Sequence, residues 1–359
     1  MTSPLSPEGV HEGGDQWVAI ISALVDRRDL DEGQARRAVT DVLDGNAGDV
    51  RLAALLVGLA AKGVSSAELT AMVEAMVDMA EPLPLTDVSA VVDIVGTGGA
   101  ARRQQAALNV STMACFVAAG AGATVCKHGN RRASSTSGSF DLLDELGVPS
   151  GLDAAGVRRC VDEVGLGFAF ARVFHPSMRH AASVRTALGI PTVFNILGPL
   201  AHPAGVTRSV LGVKDPTLAP LMIDVLQRRG ARRAMVVCGH GDTDELVTTG
   251  PTTIHELRDG DVQVSTFDPS SVGLTVVEPS AVVGGSPQRN AEIAREVLSG
   301  AQGPLADVVA LNAAAALVVG GQVDSIADGL DLARTALASG AAQAKLEALV
   351  ALGAEFTTG

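Results

Sequence analysis

The chain has 359 residues, enough for one large domain or two ordinary ones. Its formal net charge of −13 makes the surface as a whole repel DNA, RNA and anionic membrane, so an anionic ligand has to be drawn by a local cluster. Hydrophobic residues make up 47%, yet Tyr is absent and Trp17 is the only tryptophan, so the core has to rely on closely packed aliphatic side chains.

The opening stretch "MTSPLSPEGVHEGGDQ" lacks the basic end and apolar run of a signal peptide and reads as a polar, disordered leader, residues 1–16, on a cytoplasmic protein. The longest apolar runs, "MACFVAAGAGATV" and "VVALNAAAALVVGG", fall short of the ~18 to 20 residues that span a bilayer, so no membrane segment is predicted. Cys115, Cys126, Cys160 and Cys238 have no paired CxxC spacing and are expected to be buried free thiols.

From Trp17 to Met79 apolar residues recur three and four apart in "WVAIISALVDRRDL", "GQARRAVTDVLDG", "VRLAALLVGLAAKG" and "SSAELTAMVEAMVDMA", which predicts four helices. Asp29, ahead of "LDEGQA", and Ser65 or Ser66, in "SSAEL", carry capping signals. The two prolines of "EPLPLT" end the helical run.

From Ala90 short β-branched runs take over ("AVVDIVG", "ATVCKHG", "TRSVLGV", "RRAMVVCG", "TTIHEL"), separated by helical stretches such as "LMIDVLQRRG". The pattern predicts an α/β fold, in which a small all-α N-terminal domain is followed by a larger α/β domain whose mainly parallel sheet is flanked by helices. The boundaries expected are 17–85 for the helical domain, joined by part of 175–205, and 86–359 for the α/β domain. Ligands of such sheets sit beyond the carboxyl ends of the strands.

Three loops are expected to converge there. "GTGGA", Gly96 to Ala100, can bring backbone N–H groups close to a phosphate, although a plain strand-to-helix turn explains it equally well. "NVST" places Asn109, Ser111 and Thr112 at the start of an apolar helix, where anions bind well; taken alone, ordinary capping by Ser111 is the better explanation. "KHGNRRASSTSG" combines Lys127, Arg131 and Arg132 with Ser134, Ser135, Thr136 and Ser137, a density of anion donors that favours a binding loop over a solvated one.

The segments "DIVGTGG", "NVST", "KHGNRRASSTSG", "FHPSMRHAASVRTALGIPTVFNILGPLAHPAG" and "GDTDELVTTGPTTIHEL" follow the order found in anthranilate phosphoribosyltransferases, which the chain resembles over nearly all its length after the leader. The resemblance implies a nucleoside phosphorylase/phosphoribosyltransferase-like fold. It also implies transfer of the 5-phosphoribosyl group from phosphoribosyl pyrophosphate (PRPP) to the amine of anthranilate, with release of pyrophosphate, in tryptophan biosynthesis. Magnesium is the implied cofactor and a homodimer the implied assembly.

By the same resemblance Gly96, Thr97, Gly98 and Gly99 cradle the pyrophosphate, and Asn109, Ser111, Thr112, Lys127 and Ser135 complete the PRPP site. Asp244 and Glu245, with Ser111, hold the metal. Arg185 takes the anthranilate carboxylate, and Gly96, His128, Asn130 and His175 line the slot for its ring. No residue is assigned as acid or base, because an aromatic amine is already neutral at pH 7 and positioning should dominate. "FNILGPLAHPAG" is similar to the family's link between domains, and Gly198-Pro199 is the expected chain reversal, at which the helical domain could close over its substrates.

One departure stands out. Where the family usually has aspartate, this chain has Ala100, followed by a longer stretch with Arg102 and Arg103. Either Asp244 and Glu245 suffice for magnesium and the arginines add charge on the pyrophosphate, or the chain is a divergent paralogue. A paralogue would use another aromatic acceptor, or be a weakly active or non-catalytic protein binding PRPP or nucleic acid. The retained Lys127, Asn130, Ser135, Arg185, Asp244 and Glu245 favour the enzyme. A nucleoside phosphorylase is the nearest enzymatic rival. The natural chain is expected to consume anthranilate, followed by fluorescence, with PRPP and magnesium; turnover by Ala100→Asp alone would mean that the altered loop disables it.

Overall fold

The computed structural model describes residues 12–98, 107–131 and 136–357. One compact unit combines the chain up to Met79 with Ser177–Leu197, and the other combines Ala80–Pro176 with the chain from Gly198 onward.

The first unit holds α1 (Glu12–Val25), α2 (Glu32–Leu43), α3 (Gly48–Lys62) and α4 (Ser66–Asp78), the four helices that the spacing predicts. The first is shifted toward the N-terminus: α1 begins at Glu12, inside the stretch expected to be a leader, and ends at Val25, after which Arg27 enters the left-handed region at φ 57°, so the chain turns before Leu30. The cap of α2 also differs. Asp31, not Asp29, accepts from the Gln34 N–H, and Gln34 returns the bond in a capping box. Asp29 instead meets the Lys62 ammonium at 2.6 Å. At α4 the cap is Ser65, in a box with Glu68.

Glu68 is fully buried and completely used. One oxygen accepts from the Leu30 N–H at 2.8 Å, the other from the Ser65 N–H and the Lys62 ammonium, both at 2.8 Å. Trp17 packs into the same unit with its Nε1 donating to Asp41 at 2.8 Å.

The remaining helices are α5 (Val110–Gly120), α6 (Ser139–Leu146), α7 (Ala154–Val164), α8 (Ala171–Phe174), α9 (Arg179–Leu188), α10 (Phe194–Leu200), α11 (Leu218–Arg228), α12 (Pro287–Leu298), α13 (Pro304–Gly320), α14 (Ile326–Ala338) and α15 (Ala341–Thr357). Of these, α9 belongs to the first unit. The strands are β1 (Val91–Gly96), β2 (Thr124–Gly129), β3 (Leu166–Phe170), β4 (Arg208–Gly212), β5 (Arg233–Gly239), β6 (Thr252–Arg258) and β7 (Asp261–Phe267).

They form a single sheet in the order β3-β2-β1-β4-β5-β6-β7. The first five are parallel and the last two antiparallel, the mainly parallel sheet expected. Strands β3 and β7 are not among the runs predicted as strands. "LGFAF" is buried at every position and so shows no alternation, while "DVQVSTF" is an exposed edge rich in polar residues.

Helix α13 is apolar nearly all round and packs on α5, α14 and the centre of the sheet, where its many alanines permit close approach. All four cysteines are buried free thiols. Gly198 and Pro199 are not a chain reversal: both lie in the last turn of α10, and Gly198 does not take a left-handed backbone. A helix this short loses little from the missing Pro199 N–H.

Removing the Glu68 carboxylate would leave the Leu30 and Ser65 N–H groups without their acceptor and the Lys62 ammonium, whose side chain is only 5% exposed, with Asp29 alone. Glu68→Ala is therefore expected to lower the unfolding free energy of the helical unit by about 3 to 5 kcal/mol, read from urea denaturation.

Candidate active site

Strands β1, β4 and β5 each end in glycine, at Gly96, Gly212 and Gly239, and Gly96 and Gly212 are directly paired. The segment carrying Asp244 and Glu245 lies across these three ends. A Cβ on Gly96 would strike the Asp244 carboxylate, one on Gly212 the Asp244 carbonyl, and one on Gly239 the Glu245 carbonyl. Only hydrogen at these positions lets the acidic segment lie so close to the sheet.

The contact brings two predicted groups together. Asp244 Oδ2 accepts the Gly98 N–H at 2.7 Å, and the Thr97 N–H donates to the Gly212 carbonyl at 2.9 Å. The Thr97 hydroxyl is buried without a partner. A carboxylate thus already occupies a backbone donor of the glycine loop, which marks that donor as suited to an anion. Gly99, Ala100, Arg102 and Arg103 lie outside the described residues.

The start of α5 is built differently from the capping reading. Ser111 does not cap it; Asn109 stands at the N-cap position and makes no capping bond. Its side chain instead donates to the Ser137 carbonyl at 3.2 Å and accepts from the Ser137 hydroxyl at 2.8 Å and from Asn290 Nδ2 at 2.7 Å. Asn290 also donates to the Ala107 carbonyl at 2.8 Å. Asn109 therefore ties the start of α5 to the Ser137 loop and to α12, while Ser111 is half-buried and Thr112 buried on the first turn.

Below the glycine loop lie a buried lysine and a buried aspartate. Lys127, on β2, donates to the Ile94 carbonyl, and Asp93, on β1, accepts the His128 N–H at 3.1 Å. Burial pushes the Asp93 carboxyl up to about 7, against the opposing pull of the Lys127 charge and of the backbone N–H groups it accepts. Sequence reasoning passed over Asp93; the only signal was one acid inside the apolar run "AVVDIVG".

Three histidines cluster beside these two residues, the His128 ring tilted against His175 at 5.2 Å and edge-on to His202 at 5.9 Å between centroids. Burial, chiefly, lowers the pKa of each: His128 well below its usual value, His175 below it, and His202 to about 4. His202 accepts the Ala204 N–H at Nδ1, 3.1 Å away, so its Nε2 carries the hydrogen donated to the Cys126 carbonyl at 2.9 Å. His175 Nε2 reaches the Ala201 carbonyl at 2.9 Å, while His128 Nε2 is buried without a partner.

Asn130 Oδ1 accepts the Arg131 N–H at 2.8 Å. Arg131 does not join an anion pocket in this arrangement: it pairs with Asp144 and, at 3.6 Å, with Asp141, and lies over the Phe170 ring. The acids of α6 take up its charge. Arg132, Ser134 and Ser135 lie outside the described residues. Arg185 sits on α9 in the helical unit, with its guanidinium 5.5 Å from the centre of the Phe194 ring.

Among the described residues no three His, Cys, Asp or Glu side chains gather into a metal cage. The adjacent carboxylates of Asp244 and Glu245 suit magnesium, which binds through one or two carboxylates and completes its shell with water and substrate phosphate.

A glycine-ended parallel sheet with acids laid over it, joined in sequence to a helical bundle, is an arrangement that matches a glycosyltransferase family. Residues 88–343 match the model described as "Glycosyl transferase family, a/b domain", and residues 18–80 match "Glycosyl transferase family, helical bundle domain". An anthranilate phosphoribosyltransferase of Arthrobacter sp. (strain FB24) is 44% identical over 98% of this chain and 99% of its own length. The crystal structure of anthranilate phosphoribosyltransferase from Thermus thermophilus superposes with a TM-score of 0.87 at 43% identity, covering 93% of this chain and 99% of that one. The Saccharomyces cerevisiae enzyme in complex with PRPP and Mg superposes with a TM-score of 0.86 at 27% identity, covering 96% and 99%. The chain belongs to the anthranilate phosphoribosyltransferase family.

The histidine cluster generates a pH prediction. The folded pKa values of the three histidines are depressed from 6.5, so as pH falls below 6.5 the unfolded chain binds protons that the folded chain refuses. Asp93 acts in the opposite sense, since it holds its proton up to about 7 when folded but releases it near 3.8 when unfolded. Three sites outweigh one, so stability is expected to rise with pH from about 4 to about 6.5. Urea midpoints across that range check it: His128→Leu should flatten the rise, and a flat profile for the unaltered protein would contradict neutral buried imidazoles.

Proposed function

We propose that this protein transfers the 5-phosphoribosyl group of PRPP to the amine of anthranilate, giving N-(5-phosphoribosyl)anthranilate and pyrophosphate, with magnesium as cofactor. The observation that supports the reading is the Asp244 carboxylate held against the Gly98 N–H on the glycine ends of the sheet, a residue assigned to the metal in contact with one assigned to the phosphates. The matched relatives bear this enzyme name over nearly the full chain.

The C1–O bond of PRPP breaks as positive charge builds on the sugar and negative charge on the leaving pyrophosphate. The diphosphate takes over the Gly98 N–H and frees Asp244, which with Glu245 and Ser111 is assigned to hold the cation. Gly96, Thr97, Gly98, Gly99, Asn109, Ser111, Thr112, Lys127 and Ser135 are assigned to PRPP, where fixed backbone and hydroxyl donors stabilise the departing charge. Bound magnesium would supply further charge neutralisation on the phosphates.

The arylamine attacks with its own lone pair. Gly96, His128, Asn130 and His175 are assigned to its ring, and Arg185 to its carboxylate, for which a guanidinium offers a two-pronged partner. Burial keeps His128 and His175 neutral, which suits lining a slot rather than moving protons.

A homodimer is part of the same proposal. Val18 and Val25 on α1 are 65% and 76% exposed, and Val50 and Val57 on α3 are 84% and 45% exposed, on two helices packed side by side. Such a valine surface on the helical unit fits a second copy of the chain. A cytoplasmic location, within tryptophan biosynthesis, is supported by four unpaired buried cysteines. Among the described residues no helix is long and apolar enough to cross a membrane.

The test is the initial rate of anthranilate consumption with PRPP and magnesium, run beside phosphorolysis of uridine. Anthranilate turnover is expected, with Asp244→Asn lowering kcat/KM by about 10- to 100-fold. Phosphorolysis of uridine without anthranilate turnover would assign the site to a nucleoside phosphorylase instead.

A further inference from the structure

Asn312 is the only polar residue among those that α13 buries, and it is 3% exposed in the middle of an otherwise apolar helix. An amide in that setting has to be satisfied by specific partners. Its Nδ2 donates to the Val308 carbonyl one turn back and to the Leu246 carbonyl, both at 2.8 Å, and its Oδ1 accepts the Leu246 N–H at 3.1 Å. The side chain therefore grips both backbone polar groups of Leu246, itself fully buried, as a neighbouring strand would.

Leu246 directly follows Glu245 and stands two residues after Asp244. On one side the backbone of this acidic segment rests on Gly96, Gly212 and Gly239; beyond it, Asn312 holds the next residue from α13. The segment cannot slide along the strand ends without breaking a two-point hydrogen bond or striking the sheet, so the backbone positions of Asp244 and Glu245 are fixed.

We propose that Asn312 is a positioning residue for the cation-holding pair: by clamping Leu246 it fixes the points from which the Asp244 and Glu245 carboxylates reach a divalent ion. The inference rests on the magnesium reading of the site. Loss of a partner that orients a ligand residue from behind typically costs about 10- to 100-fold in metal affinity.

The test compares the unaltered protein with Asn312→Leu, Asn312→Asp and, as a control for general loosening of α13, Leu311→Ala. Mn2+ binding is titrated by electron paramagnetic resonance with inorganic pyrophosphate present, and hydrogen exchange of the Leu246 amide is followed alongside. Asn312→Leu is expected to raise the half-saturating Mn2+ concentration about tenfold or more and to speed exchange at Leu246. The control should bind Mn2+ as the unaltered protein does even where its Tm falls. Asn312→Asp keeps the acceptor for the Leu246 N–H but loses the donor to its carbonyl; it should shift Mn2+ binding in the same direction, and decides the matter where the leucine variant does not fold.

Equal Mn2+ binding in the Asn312 variants and the control would overturn the clamp alone. Fast exchange of the Leu246 amide in the unaltered protein would also overturn it, whatever the variants do. Failure of the unaltered protein to take up Mn2+ with pyrophosphate would overturn the magnesium reading and the clamp's purpose with it.

Discussion

Three neighbouring strands end in glycine because a peptide carrying two acids lies directly on them. With a Cβ at Gly96 or Gly212 the strand ends would collide with Asp244, and with one at Gly239 they would collide with Glu245. Much of the site follows from that close approach. It brings a carboxylate within hydrogen-bonding distance of the Gly98 N–H, and it leaves the Thr97 hydroxyl buried without an internal partner. An acidic protein can offer an anion site in such a place because the donors are backbone dipoles and hydroxyls at fixed positions, which need no net positive surface.

The second constraint is electrostatic and lies one layer down. Asp93 and Lys127 share a buried region, and the same burial holds the neighbouring imidazoles neutral. Lys127 is thus a buried charge whose ammonium is anchored on the Ile94 carbonyl of the strand that leads into the glycine loop. Neutral rings beside a charged phosphate site suit a reaction whose nucleophile arrives already deprotonated.

Much was legible in the chain itself. Helical spacing marked four helices of the first unit because their buried stripes recur regularly, and five β-branched runs marked five of the seven strands. Where burial left no alternation, as in β3, or exposure left no apolar face, as in β7, the same logic had nothing to detect. Caps were harder still. Asp29 and Asp31 have the same chemistry two positions apart, and only the turn at Arg27 decides that Asp31 caps while Asp29 faces Lys62. Likewise Arg131 looked like an anion donor until α6 brought Asp141 and Asp144 to it.

What the sequence by itself determined was the helical first unit followed by strand–helix alternation, the class of fold and the family, because these depend on local periodicity and on contiguous motifs. Only the tertiary structure decided which of those groups meet. Asn109 with Asn290, Asp93 with His128, Asp244 with Gly98 and Asn312 with Leu246 are pairings between distant segments, made by strand order and helix packing rather than by neighbouring residues. A hydrogen bond needs its partners within a few tenths of an ångström, and positions that fine are set only when the whole sheet has closed around its core.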